Sequence, residues 1–391
     1  MKKVYVDNSS TSFPKAPGMA DAVKRFFDGT GANINRGGYE SSYSTAQEVY
    51  KCRKLLSGFF NAASARNIIF TPGITYSLNM LLKGFLKPGD HVVTTSMEHN
   101  GLMRPLHDLS LAGVEYSVAN CNPDGTLDPL AVQALFKPST KLVVMTHASN
   151  VCGTVFPVYD ITKICKARGI HIIIDSAQTA GVLPIDASFF DAVAFTAHKG
   201  LLGAQGLGGF VISDEFAQRI DPIITGGTGS ASHELAQPSF LPDKFEPGTL
   251  NIPAIIGLKA SLEYINQVGM SVIYEKEIDL AKRFVTGVQK LSGVQVVGSL
   301  DWSQKIAVIS LNFANLDNAE AAGLLDTQFG IMTRCGLHCS AISHKTLSTY
   351  PSGTVRFSFG HFNTYEEIDY IINAIKAVLN LVVDKVATNR P

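Results

Sequence analysis

Lys199 directly follows the apolar run AVAFTAH from Ala192 and precedes Gly200, and Asp175 ends the run HIIID from His171. A lysine amine condenses with an aldehyde, and a carboxylate keeps a pyridinium nitrogen protonated. Pyridoxal phosphate needs both, together with donors for its phosphate. The segment TPGITYSLN from Thr71 offers those donors, because Gly73 and Thr75 fall at a strand-to-helix turn and a helix N-terminus binds phosphate. Each residue alone has a plainer reading. Lysines are commonly solvated in loops, and Asp175 by itself reads as a helix N-cap. Their joint occurrence at strand ends points to the cofactor.

The elements that must position these groups are legible as seven apolar, β-branched runs: NIIFTPG, HVVTTSMEH, VEYSVA, KLVVMTHAS, HIIIDSAQ, AVAFTAHKG and GGFVISD, starting at Asn67, His91, Val114, Lys141, His171, Ala192 and Gly208. Runs apolar along their whole length suit strands buried on both faces of a mainly parallel sheet. Helical spacing in YSLNMLLKGFL, DPLAVQALF and YDITKICKARG supplies crossovers. In open α/β sheets ligands bind outside the carboxyl ends of the strands. The polar residues there are Thr75, His99, His147, Asn150, Asp175, Gln178, His198 and Lys199. GAQGLGG from Gly203 precedes a strand and lacks the G-x-G-x-x-G order, and no P-loop sequence occurs, so simple nucleotide sites are unsupported.

Beyond Ala254 the alternation stops. Two helices, IIGLKASLEYINQV and VIYEKEIDLAKRFVTGVQKL, precede the strand-like VQVVGSL, KIAVISLNF and VRFSFG and a closing helix from Tyr365. The expectation is an α/β fold with a mostly parallel sheet of about seven strands between helices, at residues 15–255. A smaller α+β part takes residues 1–14 and 256–391. The glycine-rich TGGTGSASHELAQPS from Thr225 reads as a loop. The 391 residues carry 33 Lys+Arg and 33 Asp+Glu, so nothing calls for a nucleic-acid or membrane-surface partner. With 46% apolar and 17% charged residues, disorder as the main state is excluded. The six cysteines form no framework, MKKVYVDNSS does not read as a signal peptide, and no run is long enough to span a membrane. A reducing cytoplasm is the expected compartment.

Six ordered segments, HASNVCGT, DSAQTAG, TAHKGLLGAQGLGG, FEPGTLNIPAIIGL, RCGLHCS and VRFSFGHFNTYEEID, together with YVDNSSTSFPKAP near the start, resemble the cysteine desulfurases. These form part of the class V aminotransferase branch of fold type I pyridoxal phosphate enzymes. The resemblance implies that Lys199 carries the cofactor as a Schiff base, that Asp175 pairs with the ring nitrogen, that His99 stacks on the ring and that Gln178 bonds its hydroxyl. It gives Thr75, Thr196 and His198 to the phosphate, with Thr249 reaching it from the second subunit of a homodimer. Asn150 and Arg356 match the positions that take the amino acid carboxylate, where a guanidinium provides a bidentate fork. Cys339 matches the nucleophile.

The implied reaction takes L-cysteine, with Lys199 and His99 as acid and base, and the alternative is a selenocysteine lyase that takes L-selenocysteine at the same site. The Cys339 thiolate attacks the substrate sulfur to leave a persulfide and, finally, alanine. Arg334 and His338 are the cations near enough in sequence to favour that thiolate. A zinc reading of Cys335, His338 and Cys339 lacks a second paired cluster, and a cofactor-free Cys/His hydrolase leaves Lys199 and Asp175 unexplained. Ile74 stands where many relatives have a phosphate-binding threonine, Thr196 replaces the commoner serine, and Tyr39 replaces a frequent histidine. The 17 residues from Cys339 to Arg356 place the chain with the short-loop desulfurases, which often pass sulfur or selenium to a dedicated acceptor protein.

Overall fold

The computed structural model describes residues 2–35 and 37–388. In chain order its strands are β1 (Val4–Tyr5), β2 (Ile68–Thr71), β3 (His91–Thr95), β4 (Glu115–Ala119), β5 (Thr140–Thr146), β6 (His171–Asp175), β7 (Ala192–Thr196), β8 (Gly208–Ile212), β9 (Val294–Val297), β10 (Val308–Phe313), β11 (Ile331–Met332), β12 (Arg334–Gly336) and β13 (Thr354–Ser358). Seven of them form one sheet in the order β2-β8-β7-β6-β5-β3-β4. Its neighbours are parallel except at β8, which runs antiparallel to both β2 and β7.

Successive side chains of a strand point to opposite faces, and both faces are covered. Ile68, Phe70, Val143, Ile172, Ile174, Val193 and Phe195 pack into one core. Ile69, Val92, Val144, Ile173, Ala194 and Phe210 pack into another. That two-sided burial is why these runs carry no polar alternation. The register sets Thr146 opposite Asp175 and Asp175 opposite Ala194, which aligns the carboxyl ends of β5, β6 and β7.

Gly208 opens β8, where a Cβ would lie 2.7 Å from the Phe195 carbonyl oxygen and 2.8 Å from Gly73 Cα. A side chain there would push the Gly73 turn away from the strand that leads to Lys199.

The second layer is an antiparallel sheet, β12-β13-β10-β9, beside the parallel pair β1 and β11. Its core joins Val4 and Val6 to Leu280, Phe284, Ile309, Phe357, Ile368 and Ile371, so the N-terminal segment is built into the layer formed by the end of the chain.

All seven expected runs are strands of the large sheet, and Thr225 to Ser239 contains neither helix nor strand. Helices Glu40–Phe59, Asn100–Leu111 and Asn318–Phe329 go beyond the sequence reading, and the DPLAVQALF segment yields only the short helix Pro129–Gln133. Pro105 lies inside the helix Asn100–Leu111 and disguises it. Among the described residues no helix is long and apolar enough to cross a membrane.

Candidate active site

Asp175 is 4% exposed at the end of β6. Its Oδ1 accepts the Ala177 N–H at 2.8 Å. Burial raises its pKa, against the pull of that hydrogen bond and of the Lys199 charge. Glu98 is fully buried nearby, and its carboxyl oxygen accepts the Thr146 N–H at 2.9 Å. Desolvation first, with the Asp175 charge adding to it, pushes Glu98 up to about 8.

For Lys199 the same loss of water acts in the opposite direction and lowers its pKa to about 8. Asp175 resists that shift, and Arg356 and Arg334 add to it. A lysine so placed reaches its free amine form close to neutrality, as condensation with an aldehyde requires.

His99 caps the helix Asn100–Leu111, with Nδ1 accepting the Gly101 N–H at 2.9 Å. That bond assigns the proton of the neutral ring to Nε2. Burial, then Lys199, Arg334 and Arg356, lower its pKa to about 4, so the ring is neutral at physiological pH. Thr75 is its neighbour: a Cβ added to Gly101 would lie 3.0 Å from His99 Nδ1 and 3.6 Å from Thr75 Oγ1.

Gln178 is buried and donates from Nε2 to the Ser9 carbonyl at 3.2 Å, and Thr196 is buried at the end of β7. His198 precedes the lysine, and its carbonyl accepts the Ser12 N–H at 2.9 Å and Lys15 Nζ at 2.9 Å. Its pKa falls to about 4 through burial, then through Lys199 and Lys15. Thr249 is exposed, in a cleft lined by Pro72, Tyr76 and Gly206.

The turn that carries Cys339 comes from the other layer. Arg334 on β12 and Arg356 on β13 are register partners. His338 and Cys339 both have positive φ, +50° and +58°. Two consecutive non-glycine residues in the left-handed region store backbone strain, which must be held from outside. The Asn100 N–H donates to the Cys339 carbonyl at 2.8 Å, Ser340 Oγ donates to the Glu98 carbonyl at 2.6 Å, and Asn150 Nδ2 donates to the His338 carbonyl at 2.8 Å. The Cys339 side remains exposed, with Arg334 Nη2 donating to Sγ at 3.1 Å.

Of the two cations expected beside the thiol, the geometry provides one. His338 is 2% exposed, with Nε2 bonded to Thr354 Oγ1 at 2.9 Å. Burial, then the charge of Arg356, pushes its pKa down to about 2. It is a neutral, buried ring that anchors the turn. Arg356 is fully buried, with Nη2 donating to Asp7 Oδ1 at 2.6 Å and to Ser10 Oγ at 2.8 Å, and Nη1 donating to the Asn150 carbonyl at 2.9 Å. Asn150 thus serves the turn and the arginine at once, with one amide N–H uncommitted among the described residues. Asp7, Ser10 and Glu98 are missing from the sequence-based set. Only the position of Glu98 directly before His99 gave any signal.

The groups fit pyridoxal phosphate. The helix Ile74–Phe85 begins at Gly73 without a side-chain cap, beside the Thr75 hydroxyl, which leaves donors for a phosphate. His198 Nδ1 and Arg356 Nε are buried without hydrogen-bond partners among the described residues. Asp175 suits a ring nitrogen, and Lys199 suits an aldehyde.

The family model for class-V aminotransferases matches residues 4–371. A probable cysteine desulfurase of Methanothermobacter thermautotrophicus is 31% identical over 386 residues, covering 97% of this chain and 95% of the relative. The cysteine desulfurase of Serratia proteamaculans is 31% identical over 391 residues, covering 97% and 94%. Among solved structures, the apo cysteine desulfurase from Thermococcus onnurineus superposes with a TM-score of 0.90 at 30% identity, over 97% of this chain and 95% of that one. Full-length similarity of this kind, on a fold whose strand ends gather a half-buried lysine and a buried carboxylate, shows that the chain belongs to the class-V aminotransferase family and, within it, to the cysteine desulfurases.

Proposed function

We propose that this protein converts L-cysteine to L-alanine and transfers the sulfur to Cys339 as a persulfide. Lys199, Asp175, His99, Gln178, Thr75, Thr196 and His198 would hold pyridoxal phosphate, which supplies an electron sink for the carbanion left when the substrate Cα loses its proton. Arg356 orients the substrate through its carboxylate, with Asn150 beside it. The Lys199 amine, with a pKa near 8, is the group suited to take and return the Cα proton. His99, neutral with its proton on Nε2, offers a hydrogen bond to the reacting region and packs as a ring. The Cys339 sulfur attacks the substrate sulfur. The S–S bond forms as the C–S bond breaks, and the electron pair of the broken bond passes to the carbon skeleton, which is protonated to alanine.

The observation that carries this reading is the 3.1 Å contact between Arg334 Nη2 and Cys339 Sγ on an exposed turn. A guanidinium at that distance brings a hydrogen-bond donor and a positive charge to the attacking sulfur. The cleft holding the exposed Thr249 and Tyr76 supports a homodimer in which Thr249 serves the partner's phosphate. The shared core of Val4 and Val6 with Phe284 and Phe357 supports a division into residues 15–255 and residues 1–14 plus 256–391. An acceptor protein in the cytoplasm would collect the sulfur.

The test is turnover of L-cysteine and L-selenocysteine in parallel by wild type and Cys339→Ala. Alanine formation from L-cysteine should fall on the order of a hundredfold or more in the variant. Unchanged cysteine turnover would sink the persulfide route.

A further inference from the structure

Ser10 lies at a junction that neither the sequence motifs nor the family assignment explains. Its hydroxyl donates to Asp7 Oδ1 at 2.8 Å and accepts from Arg356 Nη2 at 2.8 Å and from Arg334 Nη1 at 3.2 Å. A serine hydroxyl has one proton and two lone pairs, so its full capacity is committed, and to three charged groups. Two guanidinium groups repel each other, and the arrangement holds because one oxygen accepts from both while a carboxylate takes its proton.

The two arginines depend on that oxygen unequally. Arg356 keeps Asp7 and the Asn150 carbonyl if Ser10 is lost. Arg334, among the described residues, is hydrogen-bonded to Ser10 through Nη1 and to Cys339 through Nη2. Without the serine oxygen, the Arg334 fork has the thiol as its remaining partner and can rotate away from it. We infer that Ser10 is a positioning residue that holds the Arg334 guanidinium against Cys339 and ties it to the carboxylate-binding Arg356. Its expected signature is selective, because sulfur attack suffers while carboxylate binding is retained. This inference rests on the desulfurase reading above.

The experiment compares wild type, Ser10→Ala and Ser10→Thr as holoenzymes in L-cysteine turnover. It also measures, by peptide mass spectrometry without substrate, the rate at which iodoacetamide alkylates Cys339. Ser10→Ala should lower kcat roughly tenfold with KM within about twofold of wild type, and slow Cys339 alkylation roughly fivefold. Ser10→Thr, which keeps the hydroxyl, should restore both to within about twofold. A rise in KM at constant kcat would overturn the proposal, since Ser10 would then serve Arg356. Wild-type values for Ser10→Ala in both measurements would also overturn it, as would a folded Ser10→Thr as impaired as Ser10→Ala. Should Ser10→Ala not fold, Ser10→Cys removes the oxygen at similar size and is judged by the same split. A wild type inactive on cysteine would refute the desulfurase reading, while the alkylation rates would still decide the role of Ser10.

Discussion

Lys199 stands at the edge of a seven-stranded sheet buried on both faces, whereas Cys339 stands exposed on a turn whose backbone is pinned by Asn100, Ser340 and Asn150. The groups on the sheet side, Asp175, Glu98, Lys199 and His99, are all shifted mainly by loss of water. Among the described residues, the thiol is served instead by one hydrogen-bonded guanidinium. Loss of water lowers the pKa of an amine and so makes its free base available near neutrality. An exposed nucleophile keeps its access and must be given its charge partner by geometry. One half of the candidate site is therefore shifted by desolvation, while the other is positioned by contact.

Lys199→Ala is the strongest challenge to that division. It should reduce turnover on the order of a thousandfold and abolish the Schiff-base absorbance. Cys339 alkylation should stay within about twofold of wild type if the two halves are separately tuned. A large change in alkylation would break the comparison. Arg356→Ala comes next, because it removes a buried guanidinium that both halves share. KM for L-cysteine should rise roughly a hundredfold, read by steady-state kinetics, as expected for loss of a charge-assisted fork.

The smallest effect sharpens the contrast within the turn itself. His338 has a folded pKa of about 2, below its ordinary 6.5, so between those values the unfolded chain binds a proton that the folded chain refuses. Its contribution to stability is therefore present above pH 6.5 and lost as the pH falls below it. In His338→Gln the acid-induced loss of stability should be shallower by about 1.4 kcal/mol per pH unit below 6.5, measured by urea unfolding at pH 7.5, 6 and 5. An unchanged slope would mean that His338 is protonated in the fold, as a cation beside the thiol would be.

The seven large strands were readable because two-sided burial leaves continuous apolar runs. The antiparallel course of β8 was not, since GGFVI reads the same in either direction. Strands β1, β11 and β12, of two or three residues, are too short to show any period. Lys199 and Asp175 were legible from their place at strand ends. The His338 expectation failed because closeness in sequence does not say which way a side chain points. With two left-handed residues in succession, Cys339 faces solvent while His338 turns inward to Thr354. Ser10 and Asp7 lie in YVDNSSTSFPKAP, which carried the resemblance but gave neither residue a role, for the arginines they hold lie more than 300 positions away.

The sequence by itself determined the layered sheet, the pairing of an amine with a carboxylate, and the presence of a cysteine near an arginine. These follow from residue type and local pattern. Only the tertiary structure decided which groups are charged and what each one faces: a neutral His338, a lysine whose pKa is lowered to about 8, and one serine oxygen shared by two guanidinium groups. The physical reason is that solvation and electrostatic partnership are set by neighbours in space, and at this site those neighbours come from opposite ends of the chain.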